Sequence, residues 1–377
     1  MTMPRSSRAL ARLDAAIAAA RGPVEEACLM AERAGLLARL GHVEEVREIL
    51  ADVRQRQSRL VHPALSAWLA LAEGLAEHYR DQSALARDRI RRAYALAAAS
   101  RDRPLIAISA AWHAHTDYIY GDLPAMARHV AESLQEAADD HHAARARACL
   151  VAAQSYHWGA RPDRATPWYQ RAREHAVADG DESTLSSLMI NRAWIGGNQA
   201  RMTSIFGAEV GELDEAALRE ALLTAESSRN FDSHVGRQSL GSMVALIHAQ
   251  LVLVRGDHAD ALARLEGTLS QASADGFDFM SPVLHADMAW CKVQLGRADA
   301  ALADARLAEE GFTDDCEEED RAAAHGRLAQ VFTALGRPED AARHQALAYA
   351  QLAALRVQQV RIVELLDDAL RQVPGLS

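Results

Sequence analysis

The sequence predicts an all-α protein, an α-solenoid of about eight antiparallel helical hairpins. Hydrophobic residues make up 49% of the 377 residues but aromatic residues only 5%, which favours closely packed helices over a sheet of bulky side chains. Similar segments also recur along the chain, and the last three contain Gly256, Gly296 and Gly336, spaced 40 residues apart. A fixed period of this length is typical of stacked repeat units.

The three C-terminal segments share alanines as well as glycines. They read LVLVRGDHADALARL, CKVQLGRADAALADA and VFTALGRPEDAARHQ. Glycine accepts the left-handed conformation that often ends a helix, so each glycine predicts a turn between two helices. Alanine lets two helices cross closely, and it occurs seven residues before and five residues after these glycines, at Ala249, Ala261, Ala289, Ala301, Ala329 and Ala341.

Four upstream turns, near Gly41, Arg80, Gly121 and Gly159, continue this spacing. We therefore expect an N-terminal cap helix in residues 1–22, a helical repeat domain in 23–350 and a C-terminal extension of the last helix in 351–377. Each hairpin would bury its apolar face by stacking on its neighbours. The expected helices are 6–20, 23–40, 43–58, 62–79, 82–99, 103–119, 123–138, 141–158, 162–178, 182–204, 213–228, 236–254, 257–274, 281–295, 297–310, 318–335 and 338–372.

The fifth hairpin departs from the repeat. Its first helix is overlong and contains Gly196 and Gly197, which together cost about 1–2 kcal/mol relative to alanines. We expect a helix break there, or the close approach of another backbone. The irregularity is either a harmless insertion or an adaptation to a ligand or partner. In the second case the helix would present Asn191, Arg192, Trp194, Asn198 and Arg201.

The last helix continues well beyond the repeat and carries apolar residues in alternating steps of four and three. Such a seam indicates either a helix that caps the end of the stack or a coiled coil that forms a homodimer. Gln359 would be the polar position that helps to fix the register of a dimer. The seam consists of Leu352, Leu355, Gln359, Ile362 and Leu366.

The segment HGRLAQVFTALGRPEDAARHQALA, with Ala329, Phe332, Gly336 and Ala341 in the expected relation, resembles the tetratricopeptide repeat (TPR) family. The resemblance covers residues 23–350, with a period longer than the usual ~34 and similar to the long repeats of bacterial regulatory and sensor proteins. It implies a superhelix whose concave groove, lined by the first helix of each hairpin, binds a peptide or protein. The implied groove residues are Trp112, His115, Tyr118, Tyr156, Asn191, Arg192, Trp194, Asn198, Arg201, Gln250 and Trp290.

Charge and composition oppose several classes of chemistry. The net charge of −11 opposes attraction to nucleic acid or to an anionic membrane. Lys292 is the only lysine and follows no glycine-rich loop, which opposes a phosphate-binding loop and a Schiff-base mechanism. His113 and His115, two apart on a helix, point about 200° from each other. We therefore expect isolated surface or groove histidines and no metal site.

These patterns predict a non-catalytic regulatory or scaffolding protein that binds a partner peptide or protein in its groove, without a cofactor. The four cysteines form no CxxC pair, which fits a reducing, cytoplasmic location. A sensor of a small molecule or signal peptide, controlling a separate effector, is the alternative. An enzyme is a third class, and it would need carboxylates or histidines brought together from distant hairpins.

Overall fold

The structure, a computed structural model, describes residues 7–81, 83–211, 215–237, 241–313 and 316–375. Within these ranges the regular elements are seventeen α-helices and two 3-10 turns, with no strand, which confirms the all-α class. The helices are α1 (Arg8–Ala18), α2 (Pro23–Leu40), α3 (Val43–Gln57), α4 (Pro63–Asp81), α5 (Ala84–Ser100), α6 (Arg103–Ile119), α7 (Leu123–Glu136), α8 (His142–Trp158), α9 (Pro162–Asp179), α10 (Glu182–Phe206), α11 (Glu215–Val235), α12 (Gly241–Val254), α13 (His258–Ala274), α14 (Ser281–Gln294), α15 (Ala298–Glu310), α16 (Glu318–Ala334) and α17 (Pro338–Leu370).

The predicted turns separate helices as expected, and the glycines explain how. Gly41 ends α2 with a φ of 88° and donates its backbone N–H to the carbonyl of Ala38. Gly256, Gly296 and Gly336 also adopt the left-handed region, with φ of 93°, 71° and 69°. Any residue with a side chain would be strained in this backbone conformation. The spacing of the glycines in the sequence therefore predicts where the turns lie.

The turn after α8 is where the sequence predicted it, but its left-handed residue is not the glycine. At the turn after α8, Gly159 has a φ of −69° and Ala160 takes the left-handed conformation instead, with a φ of 56°. Two helix bounds were wrong. Helix α11 runs to Val235 rather than to residue 228, because Gly236, with a φ of 74°, ends it, and α12 begins at Gly241 rather than at residue 236. The predicted start of the first helix, at residue 6, lies outside the described residues.

A further error concerns the two adjacent glycines of the fifth hairpin. Helix α10 continues through both of them without a break. A methyl group on Gly196 would lie 3.7 Å from Ala221, and one on Gly197 would lie 3.7 Å from Leu251, which are ordinary contacts. Neither a break nor a close backbone approach therefore explains this pair, and the helix tolerates its low propensity because its apolar neighbours are buried.

The chain divides into two compact units, and the first comprises Met1–Met189, Asn230–Ser239 and Val360–Ser377. Its helices pack as neighbouring pairs: α2 with α3, α4 with α5, α6 with α7, and α8 with α9. In addition α2 packs on α4, and α6 packs on α8, so the first helices of successive pairs are in contact. Helix α1 packs on α2, where Leu13 joins Leu36 and Leu40 in a small core.

The second unit comprises Ile190–Arg229 and Leu240–Gln359. Here α12 pairs with α13 and α14 pairs with α15, while α14 also packs on α16. A buried cluster that includes Ile190, Leu218 and Leu251 forms part of its core. None of the helices in the described ranges has both the length and the apolar character needed to cross a membrane.

The C-terminal seam packs against this chain. Ile362 and Leu366 are 0% exposed and belong to the core of the first unit, together with Trp168. Leu352 and Leu355 are 3% exposed, and Gln359 is half-buried. The apolar seam is therefore covered by this chain without a second copy, and both the capping helix and the homodimer stay predictions.

We expect Leu366→Ala to lower the free energy of unfolding by about 2–5 kcal/mol, because it removes a buried side chain from the first unit's core. The matched control is Leu347→Ala on the same helix, since Leu347 is 38% exposed and should change stability by about 0.5 kcal/mol. Urea unfolding followed by circular dichroism measures both. Equal, small effects would show that the end of α17 is not part of this core.

Candidate functional site

An open cavity of about 360 Å³ lies in the second unit and is lined by four helices. We call it the aromatic groove, because rings from three of those helices surround it. Phe206 comes from the end of α10, Trp290 from α14 and Tyr349 from α17. The full lining is Ile205, Phe206, Trp290, Gly326, Ala329, Gln330, Thr333, Ala334, Gln345, Ala348 and Tyr349.

A glycine in the middle of α16 makes this arrangement possible. A methyl group on Gly326 would lie 2.4 Å from Cγ2 of Ile205 and 3.2 Å from Cζ of Phe206. The first distance is too short for two carbon atoms that are not bonded to each other, so an alanine here would push Ile205 away from α16. Phe206 in turn meets the Tyr349 ring edge-on, with centroids 5.8 Å apart. Gly326 thus sets how closely the end of α10 approaches α16 and α17.

Polar groups on the groove wall differ in how far they are already engaged. Gln330 accepts a hydrogen bond from Arg327 at 2.8 Å and donates one to the carbonyl of Ile205 at 3.3 Å. The exposed amide of Gln345 and the hydroxyl of Tyr349 make no hydrogen bond to the rest of the described chain. These two groups are therefore available to the backbone amides of a bound molecule.

Two buried ion pairs lie in the same unit as the groove. Arg327 is 3% exposed and lies 3.2 Å from Asp287, and its guanidinium carbon is 5.6 Å from the centroid of the Trp290 ring. Arg201 is 0% exposed and lies 2.8 Å from Asp320. Burial raises the pKa of Asp287 and lowers that of Arg327, because both charged forms lose water. The pairing of opposite charges offsets this loss, and removing one partner would be strongly destabilising.

A second cavity in this unit, of about 290 Å³, is lined mainly by α12 and α13 and contains basic groups. Two of those groups have acidic partners, and the third, Arg229, is exposed. Arg264 lies 2.9 Å from Asp260, and His248 lies 3.6 Å from Glu226.

In the first unit, Trp112 lies in a buried charged cluster rather than on a surface. It is 3% exposed, and the guanidinium carbons of Arg147 and Arg39 lie 3.9 and 5.4 Å from its ring centroid. Arg39 is paired with Asp181 at 2.7 Å. Burial lowers the pKa of Arg147 to about 10. His115 is 9% exposed, which corrects the expectation of surface or groove histidines.

The remaining residues predicted for the groove are distributed over both units. Tyr156 is 2% exposed and donates a hydrogen bond to Asp367 at 2.6 Å, and Tyr118 packs half-buried on the same core. In the second unit Trp194 is half-buried against the apolar cluster, and Arg192 is exposed beside Glu220. Asn198, Arg201 and Gln250 are buried, with 4%, 0% and 2% exposure, and Asn191 is half-buried.

Among the residues predicted from sequence, Trp290 lines the aromatic groove, and the structure adds Phe206, Gln345 and Tyr349. Two features of the sequence, at Phe206 and Gly326, were signals for this groove, and neither identified Gln345 or Tyr349. Phe206 ends an unusually long helix, and Gly326 interrupts an otherwise alanine-rich helix without any turn to justify it. Both features indicate close packing against another helix, but neither identifies that helix.

No family model matches this chain, and no curated protein matches it either. The assignment of a site therefore depends on the geometry of the described residues.

Acid should destabilise the protein between about pH 6.5 and pH 4, in part through His78. Burial, and secondarily Arg147, lowers the pKa of His78 to about 4, whereas in the unfolded chain it is near 6.5. As the pH is lowered through this range, His78 gains a proton in the unfolded chain but not in the folded one. The free energy of unfolding therefore decreases as the pH decreases.

We expect His78→Gln to reduce that loss by up to about 3 kcal/mol, as measured by urea unfolding at pH 7 and pH 4.5. The matched control is His62→Gln, because His62 is exposed and should follow the wild-type profile. A variant that loses as much stability in acid as the wild type would contradict the role given to His78.

Proposed function

We propose that the protein is a non-catalytic interaction module that binds a peptide segment of a partner protein in the aromatic groove. The observation that carries this proposal is the cavity itself, where three rings from three helices face one space. Aromatic rings supply a large apolar contact area at low entropic cost, and they are enriched where proteins bind peptides. The proposed occupant is a short segment that places one bulky apolar side chain among Phe206, Trp290 and Tyr349.

The polar groups of the groove suit the backbone of such a peptide. Gln345 and Tyr349 offer an amide and a hydroxyl that are not engaged by the rest of the described chain. An amide can donate to a peptide carbonyl and accept from a peptide N–H, so it recognises the main chain regardless of sequence. The apolar rings would then select the side chain, while these groups hold the backbone.

A superhelical stack of TPR-like hairpins, as proposed from the sequence, is the architecture that best accounts for this groove. Contacts between successive first helices, such as α2 with α4, α6 with α8, and α14 with α16, are what a stack of hairpins requires. In such a stack the first helices form the concave surface, and Trp290 and Gln330 are on first helices of their hairpins. A regulatory or scaffolding role, as predicted from the sequence, remains part of this proposal.

The burial of two polar side chains in the fifth hairpin favours a peptide over a small molecule as the ligand. A sensor pocket there was expected to use Asn198 and Arg201. Both side chains are buried, and Arg201 is already paired with Asp320. The aromatic groove is open and largely apolar, which suits a side chain of a peptide more than a small polar signal.

The test is to select peptides from a displayed library on the immobilised full-length chain and to measure their affinity by fluorescence anisotropy. Trp290→Ala should weaken binding about 10-fold or more, because a buried aromatic anchor contributes about 2 kcal/mol or more. Gln345→Ala should weaken it several-fold without affecting the fold, since this side chain is exposed.

Trp194→Ala is the matched control, because Trp194 is a half-buried tryptophan of the same unit that does not line the groove. It should leave peptide affinity unchanged. Equal losses in the Trp290 and Trp194 variants, or no loss in the Trp290 and Gln345 variants, would show that the peptide binds elsewhere.

A further inference from the structure

Two histidines and an aspartate converge between α6 and α7 in the first unit. His113 and Asp117 lie one turn apart on α6, and His129 lies on α7. One potential ligand atom from each of the three residues can be chosen so that all lie within 4.8 Å of one another. Nδ1 of His129 is 2.7 Å from Asp117, and Nε2 of His113 is 3.6 Å from the other oxygen of that carboxylate.

The cluster is buried and only partly satisfied by its own contacts. His113, Asp117 and His129 are 8%, 1% and 8% exposed. The two imidazole rings stack with their centroids 4.1 Å apart. The Nδ1 atom of His113 is buried without a hydrogen-bond partner in the described chain. A buried histidine nitrogen without a partner is costly, and it calls for an explanation.

We propose that His113, Asp117 and His129 bind one divalent transition-metal ion of the zinc class. Two imidazoles and one carboxylate are ligands that such ions accept, and a set of three leaves a coordination position for water. Two ligands four residues apart on one helix face the same side, and a neighbouring helix supplies the third. Bond lengths of about 2.0–2.2 Å place neighbouring ligand atoms about 3–3.5 Å apart, so on binding His129 and Asp117 would move slightly apart and His113 would move closer.

Arg87 is the cation that the metal would replace. Its guanidinium lies 3.7 Å from Asp117 and 3.6 Å from Asp122, and it also lies over the ring of Tyr120, 5.0 Å from the centroid. Both carboxylate distances exceed that of a hydrogen bond, and the side chain is 36% exposed, so Arg87 can move towards Asp122 and the solvent. It then balances the charge of Asp117 only when the metal is absent. The bound ion would tie α7 to α6 and stabilise the first unit.

The experiment uses the full-length chain after removal of metals with a chelator. Calorimetric titration with Zn²⁺ should show one tight site per chain, and Co²⁺ should give the visible absorption bands of a low-symmetry site with nitrogen and oxygen ligands. The thermal midpoint of the wild type should rise with added Zn²⁺, because the ion binds the folded state. Asp117→Asn and His129→Gln should each weaken the site about 100-fold or more, since even indirect partners of metal ligands cost about 10–100-fold.

Two further variants separate a metal site from a structural cluster of histidines. His142→Gln disrupts another histidine pair of the same unit, in which the Nδ1 atoms of His142 and His175 are 3.0 Å apart, and it should retain the tight site. Arg87→Gln should strengthen Zn²⁺ binding several-fold, because it removes a competing positive charge and leaves the ligands in place.

Absence of a tight site in the wild type would overturn the proposal, and would leave a metal-free hydrogen-bonded cluster as the correct description. A site that survives His129→Gln and His113→Gln but is lost in His142→Gln would overturn it as well. If a ligand variant fails to fold, the wild-type titration and the Arg87→Gln comparison decide the question without it.

Discussion

Arginines buried between alanine-rich helices need an opposite charge or an aromatic face, and this requirement organises both units. In the first unit Arg39 pairs with Asp181, and the Trp112 ring is within cation–π distance of Arg39 and Arg147. In the second unit Arg201 pairs with Asp320. A guanidinium keeps its charge even when buried, so each of these contacts has to persist as long as the helices stay packed. Removing one partner of such a pair typically costs about 3–5 kcal/mol.

The same requirement connects the interior of the second unit to its surface. Arg327 is paired with Asp287, lies 5.6 Å from the centroid of the Trp290 ring and donates a hydrogen bond to Gln330. The neighbouring Gly326 admits Ile205 to the surface of the same helix. Two residues that line the groove, Trp290 and Gln330, are therefore positioned by contacts with this buried arginine. A preformed site of this kind loses less entropy on binding than one that has to be assembled.

Much of the helical architecture could be predicted because it depends on short stretches of sequence. Glycines that must adopt a left-handed conformation mark the turns, and the periodicity of small residues marks the helices between them. The predicted helix bounds of the fifth hairpin were less accurate, because Gly236, which ends α11, does not follow the spacing of 40 residues. The homodimer stays a prediction, since an apolar seam in the sequence does not say which surface covers it. The TPR relationship also stays a prediction.

The candidate sites were less predictable because they depend on which helices meet. Trp112 and His115 were expected in a groove, yet they contribute to a charged interior, since a sequence does not distinguish a ring facing a partner from a ring facing an arginine. The spacing of His113 and Asp117 was visible in the sequence, but His129 joins them only through the pairing of α6 with α7. Likewise Phe206 and Tyr349 are far apart in sequence and meet only in the folded unit.

The most direct test of the central claim is a crystal structure of the full-length chain bound to a peptide selected for affinity to it. The account predicts electron density for the peptide in the aromatic groove, with one apolar side chain among Phe206, Trp290 and Tyr349 and the peptide backbone hydrogen-bonded to Gln345. A peptide bound to any other surface, with the groove left open, would contradict it.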